Sequence, residues 1–100
     1  MNKLFLKDVY LKILIDIFDS YCPNAVVLAY GSRIKNTAQE YSDIDLSIKN
    51  FGDDKCNINE LKTLINDSNI PILVDISYFE NLPDYIKKEI LKDNIKIYGK

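Results

Sequence analysis

The 100-residue chain is expected to form a small α/β domain, α+β in the finer sense, in which helices pack on a mixed β-sheet. Apolar residues recur at spacings of three and four near the N-terminus and again beyond the midpoint, while short apolar or strictly alternating runs lie between those segments. No repeat, linker or low-complexity tract breaks the pattern. One hundred residues suit one core rather than two, so residues 1–100 are expected to make a single domain.

Leu6, Val9, Tyr10, Ile13, Leu14, Ile17 and Phe18 mark a first amphipathic helix, and Pro23 prevents its continuation. Residues 25–30 contain adjacent valines and end at Gly31, which predicts a strand buried on both faces. From Ser42 to Lys49 the chain alternates strictly. Ile44, Leu46 and Ile48 should therefore face a core, while Asp43, Asp45 and Ser47 share the opposite face. Phe51-Gly52-Asp53-Asp54 reads as a turn. Asn57, with Glu60 three residues on, is a capping-box variant ahead of a helix lined by Ile58, Leu61, Leu64 and Ile65. Residues 70–77 predict a further apolar strand, with Pro71 near its start where a missing donor is tolerated. Pro83 suits the first turn of a final helix carrying Tyr85, Ile86 and Ile90, and residues 95–98 suit a short edge strand.

Composition removes several classes of chemistry. There is no histidine, which excludes Ser-His-Asp and Cys-His catalysis and any His-ligated zinc. Thirteen Lys+Arg against fifteen Asp+Glu leave a net charge of −2, without the basic footprint of a protein that grips nucleic-acid phosphates. Charged residues interrupt each apolar run near the N-terminus, so neither a signal peptide nor a membrane span is expected. Cys22 and Cys56 lack metal-ligand spacing and read as reduced thiols, which together with the missing leader makes a cytoplasmic protein the expectation. Arg33 is the only arginine beside twelve lysines. A planar, forked hydrogen-bonding role would account for it, and so would a surface cation.

Three aspartates occupy segments whose strand propensity disfavours them. Asp43 and Asp45 project from one face of one strand, and Asp75 lies in the most apolar run of the chain. Two bland readings stand beside a functional one: the pair could solvate an edge strand, and Asp75 could turn toward solvent. Carboxylates from two strands meeting in one cleft would instead be a hard-cation site suited to Mg²⁺. Immediately upstream, Tyr30-Gly31-Ser32-Arg33 follows a buried strand. Gly31 lets a ligand approach the backbone, and Ser32 adds a hydroxyl and, in a helical turn, a free amide for an anion.

Gly31-Ser32, ten intervening residues and Asp43-Ile44-Asp45 together resemble the GS-x10-DxD signature of the DNA polymerase β-like nucleotidyltransferase superfamily. The surrounding text, Tyr30-Gly31-Ser32-Arg33 and Tyr41-Ser42-Asp43-Ile44-Asp45-Leu46, is similar to its minimal branch, the MNT or MntA-like antitoxins frequently paired with a HEPN-domain toxin. The likeness extends over most of the chain and would make Asp75 the third carboxylate. One departure is Asn36, where members often carry Gly; Asn also tolerates a left-handed turn.

The resemblance implies a nucleotidyltransferase fold and transfer of a nucleotidyl group from ATP to a hydroxyl with loss of pyrophosphate. Asp43, Asp45 and Asp75 would be catalytic and would bind Mg²⁺ in a two-metal site. Gly31, Ser32 and Arg33 would bind the nucleotide. The acceptor implied is a tyrosine of a HEPN toxin, silenced by adenylylation within a hetero-oligomer. Larger relatives carry a separate acceptor domain that 100 residues do not accommodate, so the partner is expected to present the hydroxyl. Two alternatives are nucleotidylation of a small molecule of the aminoglycoside type and a non-catalytic antitoxin acting by occlusion.

Overall fold

The computed structural model describes residues 4, 6–34, 43–49 and 57–99, with the backbone alone at Ser32 and Arg33. In chain order the elements are α1 (Asp8–Tyr21), β1 (Val26–Tyr30), a 3₁₀ turn (Gly31–Ile34), β2 (Ile44–Lys49), α2 (Ile58–Asn66), β3 (Val74–Tyr78), a second 3₁₀ turn (Phe79–Asn81), α3 (Asp84–Lys92) and β4 (Ile95–Tyr98). The strands form one sheet in the order β3-β2-β1-β4. β1 runs antiparallel to both β2 and β4, whereas β2 and β3 are parallel. The expected mixed sheet with packed helices is what forms. Asn36, the start of the alternating segment at Ser42, the turn Phe51-Gly52-Asp53-Asp54 and Cys56 lie outside the described residues.

The apolar periodicity sorts itself onto two faces of the sheet. Val27 and Ala29 of β1, Ile44, Leu46 and Ile48 of β2 and Ile76 of β3 turn to one side and meet Leu14 and Phe18 of α1 and Leu61 and Ile65 of α2 in a single buried cluster. Cys22 belongs to that cluster as a buried cysteine. On the other side the sheet presents Leu28, Asp45 and Ser47, and α3 covers part of it. Ile90 of α3 is fully buried yet lies outside the main cluster, and Ser47 of β2 is fully buried as well. Lys49 and Lys87, from β2 and α3, both place their ammonium groups over the Phe79 ring, at 4.0 and 5.8 Å from its centre. Those contacts tie α3 to the sheet through an aromatic quadrupole.

Several expectations change at the boundaries. β3 begins at Val74, not at residue 70; Pro71 therefore precedes the strand, although the Leu73 carbonyl already accepts from Ile44 N at 3.0 Å. Val9, Leu64 and Tyr85 are exposed, because each falls off the buried stripe of its helix. No described helix is long and apolar enough to cross a membrane.

The cap of α2 differs from the expected box in an informative way. Asn57 Oδ1 accepts from Asn59 N at 2.8 Å and Glu60 N at 3.3 Å. Glu60 does not reach back to the Asn57 amide; Tyr21 of α1 stands between them. Its hydroxyl accepts from Asn57 N at 3.0 Å and donates to Glu60 Oε2 at 2.5 Å. The cap thus fastens α2 to α1. Asn57→Ala should cost about 1 kcal/mol and lower Tm by roughly 4–8 °C, read by thermal unfolding.

Candidate active site

Strand pairing decides where the predicted carboxylates go. Tyr30, the last residue of β1, is the register partner of Asp45, and Asp45 is the register partner of Asp75. Partners in adjacent strands share a side of the pleat and stand about 4.8 Å apart. Asp45 and Asp75 are therefore abreast on the face that α3 partly covers. Asp43, exposed just ahead of β2, acts electrostatically on Asp45. The three acidic positions gather at one end of one face. Asp75 is exposed rather than enclosed in an apolar strand, so the burial penalty expected from its neighbours does not arise.

Gly31 fits this end of the sheet in two ways. Its φ of +79° is a conformation that L side chains rarely adopt, and it turns the chain from β1 into the 3₁₀ turn. A Cβ at this position would also lie 2.6 Å from Asp45 Oδ2. The carboxylate lies against the glycine, and any side chain there would displace it. The backbone of Ser32 and Arg33 continues in the 3₁₀ turn, while their side chains lie outside the described residues.

The electrostatics are those of crowded negative charge. Partial burial, then Asp75, Asp43 and Glu89, push the Asp45 carboxyl above the ordinary carboxylate range. Burial, with Asp45, Asp75 and Glu89, pushes the Tyr30 phenol up to about 12. Tyr30 is a half-buried neutral donor facing a group of acids. Neither its role nor that of Glu89 follows from the sequence: Tyr30 reads there as a strand residue, and Glu89 as one charge on a polar helix.

Among the described residues no three carboxylates or thiolates close on one point as a ready-made metal cage. The donor set still fits magnesium. Mg²⁺ takes one or two carboxylates and fills its octahedron with water and substrate phosphate. Two oxygen-bearing side chains abreast, one of them with its carboxyl raised by its neighbours, match that requirement.

The architecture has a close counterpart. A crystal structure of a toxin–antitoxin with AMP-PNP contains a chain that superposes with a TM-score of 0.71, at 19% identity, over 90% of this chain and 73% of that one. The sheet order, the helices and the paired-acid strand define a nucleotidyltransferase-like fold. The chain belongs to the family described as Polymerase beta, Nucleotidyltransferase, which it matches over residues 12–100. It is 37% identical, over 73 residues, to a Methanocaldococcus jannaschii protein provisionally named a protein adenylyltransferase, covering 73% of this chain and 54% of that one. It is 30% identical, over 101 residues, to a Haemophilus influenzae protein provisionally named protein adenylyltransferase MntA, covering 98% of this chain and 87% of that one. The chain thus spans about half the length of the first relative and most of the second. These likenesses place it among the minimal nucleotidyltransferases of the polymerase β-like superfamily.

Proposed function

We propose that this chain transfers AMP from ATP to a hydroxyl, and that the acceptor is a tyrosine of a HEPN-domain toxin held in a hetero-oligomer with it. The observation that carries this reading is the parallel register of Asp45 and Asp75 beside Gly31. The names of its two relatives support protein adenylylation, and the toxin–antitoxin neighbour with AMP-PNP supports the partner and the nucleotide.

Asp43, Asp45 and Asp75 would hold the Mg²⁺ of a two-metal site. When bound, the metal supplies positive charge against the phosphates and the leaving oxygen. Asp75 is the exposed member of the register pair. A hydroxyl presented by another protein can reach it, and it takes that hydroxyl's proton. The freed oxygen bonds to the α-phosphorus as the bond from that phosphorus to the bridging oxygen breaks, and pyrophosphate departs with the electron pair. Asp45 is half-buried and fixed against Gly31, so its task is to hold rather than to move a proton. The Gly31–Ser32 backbone and the Ser32 hydroxyl steady the terminal phosphates. Arg33 adds a forked contact to phosphate or to the partner.

The direct test incubates the chain with ATP, Mg²⁺ and its HEPN protein and follows intact mass. One AMP on a tyrosine of the partner is expected, with none when Mg²⁺ is chelated. An unmodified partner in an active complex overturns the proposal, and transfer to an aminoglycoside-type hydroxyl instead would favour the small-molecule alternative.

A further inference from the structure

We propose that the outer edge of β3 is where the partner protein docks, by adding an extended, acid-bearing segment alongside the strand and bringing its tyrosine level with Asp75. The identity of that partner rests on the transfer reading above; the surface and the mode of docking do not. β3 is the terminal strand of the sheet, bonded to β2 alone among the described strands.

Backbone direction makes this edge usable. The Leu73 carbonyl accepts from Ile44 N, so in the parallel ladder the amides of Asp75 and Ser77 also turn toward β2. Those of Val74 and Ile76 turn outward, where no described residue pairs with them. A row of outward donors and acceptors is a template for another extended chain. A cleft of about 200 Å³ runs along the same edge. Its floor is residues 76–78 of β3, and its walls are Ile58 and Lys62 of α2 with Asn81 and Leu82 at the second 3₁₀ turn. Toward the other end of the strand, Leu73 is 68% exposed and offers a further apolar contact.

Charge selects the occupant. Lys62 is the one charged side chain among the described residues that line the cleft, and no described carboxylate pairs with it. Lys49 and Lys87, gathered over Phe79 just past the strand, meet no described carboxylate either. An incoming segment with acidic side chains supplies the counter-charge that all three lack. Five paired residues span about 17 Å, so a segment seated in the cleft runs on to Asp75, which is exposed. Register partners share a side of the pleat. A tyrosine opposite Asp75 would therefore present its hydroxyl on the face where Asp45 stands.

The test uses the full chain and the partner protein of the transfer experiment, with amide exchange followed residue by residue by NMR. On complex formation the Val74 and Ile76 amides should slow by about tenfold or more, and by more than those of Asp75 and Ser77, which β2 already holds. Val74→Pro removes an outward N–H at the first residue of an edge strand, where proline is tolerated, and should weaken partner binding about tenfold. Val74→Ala keeps that N–H and should bind nearly as the native chain does. Lys62→Glu should weaken binding about tenfold at low ionic strength, with the deficit shrinking as salt is raised. Lys12→Glu, on the exposed side of α1, should change nothing. Unchanged exchange at Val74 and Ile76 overturns the proposal, as do equal losses in Val74→Pro and Val74→Ala. Slowing of both amides in the chain alone as its concentration rises also overturns it, because the occupant is then a second copy. A deficit in Lys12→Glu as large as that in Lys62→Glu overturns the acidic occupant. A partner that protects these two amides but receives no AMP fails the transfer reading alone. A partner that receives AMP while both amides exchange freely fails this inference alone.

Discussion

Replacing Asp45 by asparagine should cut nucleotidyl transfer by roughly a thousandfold, the loss of several kcal/mol of charge stabilisation, and yet raise the melting temperature at neutral pH. The two effects have one origin. In the folded chain, burial and then Asp75, Asp43 and Glu89 hold the Asp45 carboxyl above its ordinary range. The unfolded chain has no such neighbours, so its carboxyl titrates normally. A raised folded value means that the native state retains the proton to higher pH. Its contribution favours folding below the ordinary carboxylate range and is lost as pH climbs through the raised value. At neutral pH the native chain bears the full repulsion, and Asp45→Asn removes it. Thermal unfolding from pH 7 down to about pH 3 should show the variant more stable at neutrality and the gap closing in acid. A variant less stable at pH 7 would make Asp45 a structural residue, and one with transfer intact would remove it from the site. Asp43→Asn with Asp45→Asn also separates two modes of action for the proposed toxin partner: neutralisation that survives both changes is occlusion, not catalysis.

Gly31→Ala should lose activity for a different reason, and with the opposite sign in stability. The backbone at φ +79° penalises any L side chain by about 1–2 kcal/mol. The new Cβ would also meet Asp45 Oδ2 at 2.6 Å, so the carboxylate must swing aside. Displacement of a reacting constellation by about 1 Å can cost on the order of a hundredfold in rate. The expected result is a melting temperature lowered by several degrees with transfer down about a hundredfold. A double-mutant cycle divides the two contributions. In an Asp45→Ala background the added methyl has no carboxylate to strike, and Gly31→Ala should cost only its backbone share. Equal costs in both backgrounds would mean that the carboxylate does not lie against Gly31.

Much of this was readable from residue order, because period-two alternation carries direction. Asp45 and Ser47 had to leave β2 on the side opposite Ile44, Leu46 and Ile48, and the sheet obeys. Asn57 announced its helix, since a side-chain acceptor ahead of an apolar stripe has few other uses. Partners across layers were not readable. Ser47 is fully buried, and nothing in the alternation of β2 reveals that its polar side is covered. Tyr21 intercepts the capping box, since a hydroxyl from a helix 36 residues away outcompetes the local carboxylate. The start of β3 was misplaced by four residues, because an apolar run with a proline looks like a strand wherever it begins. Glu89 had no local mark at all.

β3 is bonded to the sheet on one side among the described strands, by its parallel ladder with β2, and α2 lies between the two strands in chain order. Peripheral ladders of this kind open by sub-global fluctuation more readily than central ones. Fraying of β3 would carry Asp75 away while β1, β2 and β4 stay zipped. Amide protons of Val74–Tyr78 should then exchange with deuterium faster than those of Val26–Tyr30, and heat should silence the protein some degrees before it melts. Competence would be the most fragile property of the molecule, forfeited by a partial excursion that leaves most of its architecture standing.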